Sequence, residues 1–516
     1  MKDTRTGNSM RNMAYGFGAQ ALNMAIGFAG RTVFIHQLGV IYLGVNGLFA
    51  NILSLLALAE MGVGNAILYN LYKPVAENDK AKISALIALL ATIYRRVGIT
   101  VAVVGLGILP LLESLIKDQA NIVNLQLVYL LFLVNSVITY FFAHNSILLI
   151  AEQKRYVITK YAICFNLLQN SLQILILYMT HDFILYLCVQ ISCTFFNSYL
   201  VTKYVERVYP FIGKASGVLD KAVIYKNIRA MSMHKVATTV LYYTDNILIT
   251  MFSGIYWVGI YANYTMILGI VTQFAGVLNS SLSASIGHLN AMESQGKSHQ
   301  VFEASFLVNF WVNGVCLIAL CLLLSPFITL WLGKEYVLDG SILGMILLNY
   351  YLLSMRAVVI MFKDSLGLFW NDRYKGLVES LINVTASIIL GKMFGIIGVL
   401  VGTFTGMMLS CFWIEPYVLF KYGFKKSVWH HYIQYGIYTI ALTGALFITE
   451  KACAYFPDDT VAGFFGKFFC CMLIPNLLFS ICFFKTDAFK YVYGKVKALS
   501  KQTKDAERSG ERESGY

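Results

Sequence analysis

Apolar stretches, each long enough to cross a bilayer, follow one another along almost the whole chain, and no other property restricts its fold as strongly. A membrane-spanning helix needs about 20 mostly apolar residues. Measured with that ruler, the sequence gives fourteen segments, at residues 12–35, 41–72, 84–115, 122–149, 156–180, 183–205, 225–253, 257–289, 301–331, 340–369, 376–393, 396–420, 429–450 and 460–484. A soluble core has no room for so many. Of the 516 residues, 58% are hydrophobic and 13% charged, against about a quarter charged in ordinary globular chains. The expected fold is an all-α integral membrane protein with about fourteen transmembrane helices.

Lysine and arginine concentrate in alternate loops, as the positive-inside rule demands. With the N-terminus inside, the cytoplasmic segments hold 29 of the 40, while the outer loops carry only Lys117, Lys334 and Lys451. Both termini are therefore expected in the cytoplasm. The net charge of +13 belongs to these loops and to a polar, disordered basic tail near anionic lipid, so no nucleic-acid partner is expected. Lys2, Arg5 and Arg11 precede a hydrophobic segment too long for a signal sequence, and the first span is expected to persist. The ten cysteines form no C-x-x-C pair, so neither a disulfide framework nor a metal centre is expected, and no cofactor motif is present. The loops are too short for a folded catalytic domain.

The longest loop, around Val205 to Ala222, contains Pro210, Gly213 and Gly217 and reads as a linker. A weak internal repeat accompanies it. LGVIYLGVNG around the first turn parallels SGIYWVGIYAN six spans later, with Ile41-Tyr42 on Ile255-Tyr256 and Gly44 on Gly259 after one inserted residue. The expected organisation is an N-terminal six-helix bundle over 1–210, a parallel C-terminal bundle over 211–424, two further helices over 425–486 and a cytoplasmic tail over 487–516. The two bundles are expected to flank a central cavity. In this register Arg31 and Asp245 are equivalent and would meet across a cleft.

Charges in the hydrocarbon region are costly and mark functional sites by default. Arg31, Glu60, Arg95, Arg96, Asp245, Arg356 and Glu415 lie deep in their segments. His234 and Lys235 stand nearer the inner rim, and Lys363, Asp364 and Glu379 nearer the cytoplasmic ends. Arg356 has no charge within six residues, so a partner, water or ligand must meet it. Arginine suits concentrated negative charge, because guanidinium bonds phosphate bidentately. Arg31, Arg95, Arg96 and Arg356 are therefore candidate ligands for a pyrophosphate and its sugars, with Glu60, Asp245 and Glu415 as gating or coupling groups. Asn46, Asn51, Tyr242, Tyr243, Tyr261, Asn263 and Tyr264 are candidates for sugar hydroxyls and ring faces, although packing or anchoring accounts for most such residues.

Arg31, Phe34, Leu38-Gly39, Tyr42, Gly44, Gly47-Leu48, Asn51-Ile52, Glu60, Gly62, Gly64 and Leu71-Tyr72-Lys73 resemble the first helical hairpin of bacterial polysaccharide transporters. These are the Wzx-type flippases of the superfamily that also holds MATE drug exporters and lipid II flippases. The resemblance implies a two-lobed helical fold in the cell membrane. It also implies alternating access that moves undecaprenyl-pyrophosphate-linked oligosaccharide units from the inner to the outer leaflet, alongside polysaccharide polymerase and glycosyltransferases. Two other readings stand beside it. A multidrug or cation exporter of the same superfamily would prefer acidic cavity residues, whereas here deep arginines outnumber deep carboxylates. A membrane glycan polymerase would need acid/base residues near water, and no D-x-D pair or large loop supplies them. No G-x-x-x-x-G-K-[ST] loop is present for nucleotide-driven transport.

Single-cysteine labelling in a cysteine-free background tests the orientation. Positions beside Lys117, Lys334 and Cys453 are expected to react with an impermeant reagent from outside, and those around Glu77, Lys154 and Lys214 only after permeabilisation. A reversal on either side of Val205 would break the two-bundle reading.

Overall fold

A computed structural model describes residues 22, 24–60, 62–112, 116, 124–213, 219, 224–225, 239, 243–292, 295–495 and 497. Among these residues the chain is helical, without strands. The helices are α1 (24–38), α2 (Val40–Leu56), α3 (Val63–Glu77), α4 (Lys80–Ile108), α5 (Leu125–Ala151), α6 (Arg155–Thr180) and α7 (Phe183–Val208). Then come α8 (243–253), α9 (Ile255–Met292), α10 (Gln295–Trp331), α11 (Gly340–Ser365), α12 (Lys375–Phe394), α13 (Ile396–Leu409), α14 (Cys411–Val418), α15 (Trp429–Cys453), α16 (Val461–Phe483) and α17 (487–495).

Among the described residues eleven helical segments are long and apolar enough to cross a membrane, and they coincide with eleven of the fourteen expected spans. Much of the first and seventh spans, together with His234, Lys235, Tyr242 and the tail from residue 498, lies outside the described residues. The second span is described and is interrupted. After α2 the chain narrows to a 3-10 turn, Ala57–Glu60, and Gly62 takes a left-handed φ of 68° before α3 begins. That backbone suits glycine.

Helix starts follow local chemistry. Asp79, Asp182, Asp339 and Thr460 each accept backbone N–H bonds at an N-cap, satisfying donors that the first turn leaves open. The Lys82 N–H holds the Asp79 carboxyl below its ordinary range.

The chain divides into two compact units: Met1–Asn263 with Val384–Val399, and Tyr264–Asn383 with Leu400–Tyr516. In the first unit α5 packs against α4 and α7, α6 against α7, and α3 against α4 and α5. In the second, α10 is the hub, packed by α11, α15 and α16. Phe302, Phe306 and Phe310 of α10 meet Tyr438 of α15 and Phe479 and Phe483 of α16 in one buried aromatic seam. The Phe310 and Tyr438 rings stack at 4.4 Å. The last two membrane helices are thus welded to the unit.

The repeat is real at the level of contacts, in a register shifted from the expected one. Gly39 (φ 84°) precedes α2, and Gly254 (φ 97°) precedes α9. A Cβ on Gly44 would stand 2.1 Å from the Ile255 carbonyl oxygen, and one on Gly259 would stand 2.2 Å from that of Val40. GVIYLG at 39–44 therefore pairs with GIYWVG at 254–259 without an insertion, each glycine receiving the other copy's first carbonyl. Arg31 is then equivalent to Asn246, not Asp245. The gapped alignment misplaced Asp245 because it matched Ile-Tyr pairs instead of the positive-φ glycines.

Gly44→Ala or Gly259→Ala forces two backbones apart. Each is expected to cost about 1–3 kcal/mol, the range for overpacking a tight site, read as a lower melting temperature of the purified protein. Gly436→Ala, where a Cβ meets nothing within 4 Å, is expected to be neutral.

Candidate functional site

Three helices of the second unit bring charged side chains together by helical spacing. Arg356 and Lys363 share a face of α11 at seven residues, Lys375 and Glu379 share a face of α12 at four, and Cys411 and Glu415 share a face of α14 at four. Arg356 Nε and Nη2 donate to the two Glu415 oxygens at 3.0 Å each, and Nη1 donates to Glu379 Oε1 at 3.0 Å. Cys411 Sγ donates to the other Glu379 oxygen at 2.8 Å. Lys375 also donates to Glu415 and lies 3.7 Å from Asp372, which accepts from Lys363.

The result is a ladder of alternating sign, Lys363, Asp372, Lys375, Glu415, Arg356 and Glu379, with three cations and three anions. Glu415 is fully buried and Glu379 nearly so. These six charges sum to zero, with the exposed Asp364 a further 3.8 Å from Lys363, and with satisfied hydrogen bonds they are tolerable where any one alone is not. Arg356 is one of the four arginines that the sequence offers to a pyrophosphate. In the structure its fork is occupied by two carboxylates of the protein itself. Lys363, Asp372, Lys375 and Glu379 belong to the same site, although sequence depth alone assigned those it noticed to a rim. The i, i+4 spacing of Lys375 with Glu379, and of Cys411 with Glu415, is a signal in the sequence, whereas Lys363 and Asp372 carry none.

Glu415 stands on a broken helix. Ser410 separates α13 from α14 with φ −125° and ψ −81°, Pro416 interrupts α14, and Leu419–Phe424 continues as a π-helix. Pro416 has no N–H for the Phe412 carbonyl. Tyr432 of α15 donates to the Phe412 and Trp413 carbonyls at 3.4 and 3.2 Å instead. Beside this break lies a cavity of ≈ 20 Å³ lined by Arg356, Cys411, Glu415, His431 and Tyr435 among apolar neighbours. Sugars do not fit there.

The first unit treats its charges differently. The 3-10 turn before Gly62 sets Glu60 just ahead of the α3 N-terminus, where the helix dipole favours an anion. The Tyr94 hydroxyl donates to Glu60 Oε1 at 3.0 Å, and a Cβ on Gly64 would stand 2.5 Å from that hydroxyl. Arg31 lies half-buried near Tyr186. It makes no ion pair among the described residues, and its Nη1 has no hydrogen-bond partner. Asp245 lies on α8, within electrostatic reach of Tyr261. Arg95 and Arg96 are exposed. The packed face of α4 runs through Leu86, Leu90, Tyr94, Val97 and Val101, and Arg96 points away from it. Arg96 shares its face with Thr92 and Thr100, whose hydroxyls bond the preceding turn. Neither arginine pairs with a carboxylate among the described residues.

Of the candidate hydroxyl-binding residues, Asn51 donates to its own helix at the Gly47 carbonyl, and the Tyr264 hydroxyl accepts the Leu338 N–H at 2.8 Å. These are packing roles. Asn263 is 1% exposed, and both its amide atoms lack partners. Among the described residues no three His, Cys, Asp or Glu side chains converge to hold a metal ion.

No protein-family model and no curated protein sequence matches the chain. Solved structures do. An inward-facing multidrug-resistance MATE-family transporter of the MOP superfamily superposes with a TM-score of 0.60 at 15% identity, covering 78% of this chain and 94% of its own. Lipid II flippase MurJ, in an inward closed conformation, gives 0.62 at 13% identity, over 91% and 99%. A MOP-superfamily transporter from Pyrococcus furiosus, described with a binding pocket of reversed polarity, gives 0.52 at 14% identity, over 82% and 97%. At these identities the likeness establishes the fold.

Arg356→Ala leaves Glu415 and Glu379 buried with one cation too few. It is expected to cost about 3–5 kcal/mol, as for breaking other buried pairs, seen as a large fall in melting temperature or loss of the protein from the membrane. Arg356→Met with Glu415→Gln is expected to recover part of that loss.

Proposed function

We propose that this chain is a flippase, not an enzyme. It moves polyprenyl-pyrophosphate-linked oligosaccharide units from the inner to the outer leaflet of a bacterial cell membrane, for surface polysaccharide assembly. Both termini are cytoplasmic, access alternates between the two sides, and polymerase and glycosyltransferases act beside it.

The observation that carries this reading is the charge balance. Every cation of the second-unit ladder is neutralised by the protein, whereas Arg95 and Arg96 are exposed about 24 Å along α4 from Lys80 without a carboxylate. Two guanidinium groups at that depth favour an anionic headgroup over a cationic drug. Arg31, with a free donor, is assigned to the same ligand. Glu60, at the break between α2 and α3, and Asp245, on the helix leading into the repeat contact, are assigned to conformational coupling. Glu415 holds the ladder together. The shared fold with a lipid II flippase is compatible with this substrate class.

The rival is a cation exporter, to which the likeness to MATE transporters points equally. Deleting the gene is expected to abolish a surface glycan and accumulate lipid-linked units on the inner leaflet, with unchanged resistance to cationic dyes. Lost resistance with an intact glycan would install the exporter reading. In the flippase reading, Arg96→Ala lowers transport about tenfold or more, the worth of one or two charge-assisted hydrogen bonds, at unchanged melting temperature. Arg96→Lys retains part of it.

A further inference from the structure

His431 and Tyr435 stand one turn apart on α15 and face the same small cavity as Arg356 and Glu415. His431 is 2% exposed. Its Nδ1 has no hydrogen-bond partner, nor has the Tyr435 hydroxyl. The imidazole is walled by the rings of Phe306 at 4.8 Å, Phe420 at 5.4 Å and Phe302 at 5.8 Å, none of which bonds a ring nitrogen. Its neighbour His430 turns outward to Glu303 at 3.4 Å and offers it nothing.

Two buried polar atoms left unmet cost about 1–3 kcal/mol each, and apolar packing does not repair that. Cavities that stay dry are lined by hydrocarbon. In this one an imidazole, a phenol, a thiol and an ion pair stand among six apolar side chains. A water molecule needs about 10–15 Å³ of such space and two to four polar partners, and a cavity of ≈ 20 Å³ has room for it.

We propose that this cavity is a binding site for ordered water, which joins His431 and Tyr435 of α15 to the Arg356–Glu415 pair. His431 Nδ1 accepts from it, the Tyr435 hydroxyl shares a second bond, and the ion pair supplies the rest. The water lies beside the stretch where α14 is broken at Ser410 and Pro416 and relaxed into a π-turn, a setting in which water commonly enters a helical ladder. Its role is to make α15 part of the charge ladder through an exchangeable bond. A side-chain bridge would fix that geometry, whereas a water-mediated contact lets Glu415 and Arg356 shift against α15 at little enthalpic loss. The site holds whichever ligand the protein moves.

Pulsed X-ray radiolysis of the full chain in lipid nanodiscs tests it, because bound water is converted to hydroxyl radical in place. Cys411 and Cys471 are both fully buried, and only Cys411 lines the cavity. Cys411 is expected to be oxidised several times faster than Cys471, with Met355, another lining residue at 1% exposure, also labelled. Equal rates at the two cysteines overturn the proposal. In Tyr435→Phe and in His431→Phe, Cys411 is expected to slow towards Cys471, with labelling at the exposed Trp429 reporting an intact fold. Undiminished labelling of Cys411 in both variants also overturns the proposal. Should neither variant fold, the comparison of the two cysteines in the unaltered protein decides alone.

Discussion

Arg356 cannot stand alone in hydrocarbon, and much of the second unit is arranged around that fact. A guanidinium offers donors in a fixed plane, so meeting it requires carboxylates from defined directions. Glu415 comes from a helix broken on both sides, and Glu379 comes from α12. Two anions for one cation then call in Lys375, whose second neighbour Asp372 calls in Lys363. The ladder follows from neutrality, each member offsetting the excess left by the one before. It ties α11, α12 and α14 together by directional bonds in a region where apolar side chains gain nothing from leaving lipid.

The two units therefore use charge in opposite ways. One neutralises its buried groups internally and joins α15 and α16 to them through an aromatic seam. The other leaves Arg95 and Arg96 exposed, Arg96 between two threonines, with Glu60 fastened by a tyrosine at a helix break.

Much of this was legible in the sequence, because hydrophobic length is a robust signal. Eleven of the expected spans stand in the structure with boundaries moved by a few residues, and Arg356, isolated among apolar residues in the sequence, is bonded by Glu415 and Glu379. What met it was not legible. Partners on three separate segments are invisible to a reading that ranks each charge by its distance from its own helix ends. The interruption at 57–62 was hidden for a related reason: hydropathy does not register backbone angles, and Gly62 breaks the helix without lowering apolarity. The repeat was seen through side-chain identities, although the alignment rests on Gly39 and Gly254, whose φ angles carry the information.

The contact of Gly44 with Ile255, and of Gly259 with Val40, is isologous, the kind of surface that ordinarily joins two identical subunits. Here both copies lie in one chain, so the two-fold is free to be imperfect everywhere except where the backbones touch. The flanking helices can diverge in charge and purpose, as Arg31 has from Asn246, while the pair of crossings remains a single unit of inheritance. A side chain added at either glycine would press apart the same two backbones that both glycines let meet.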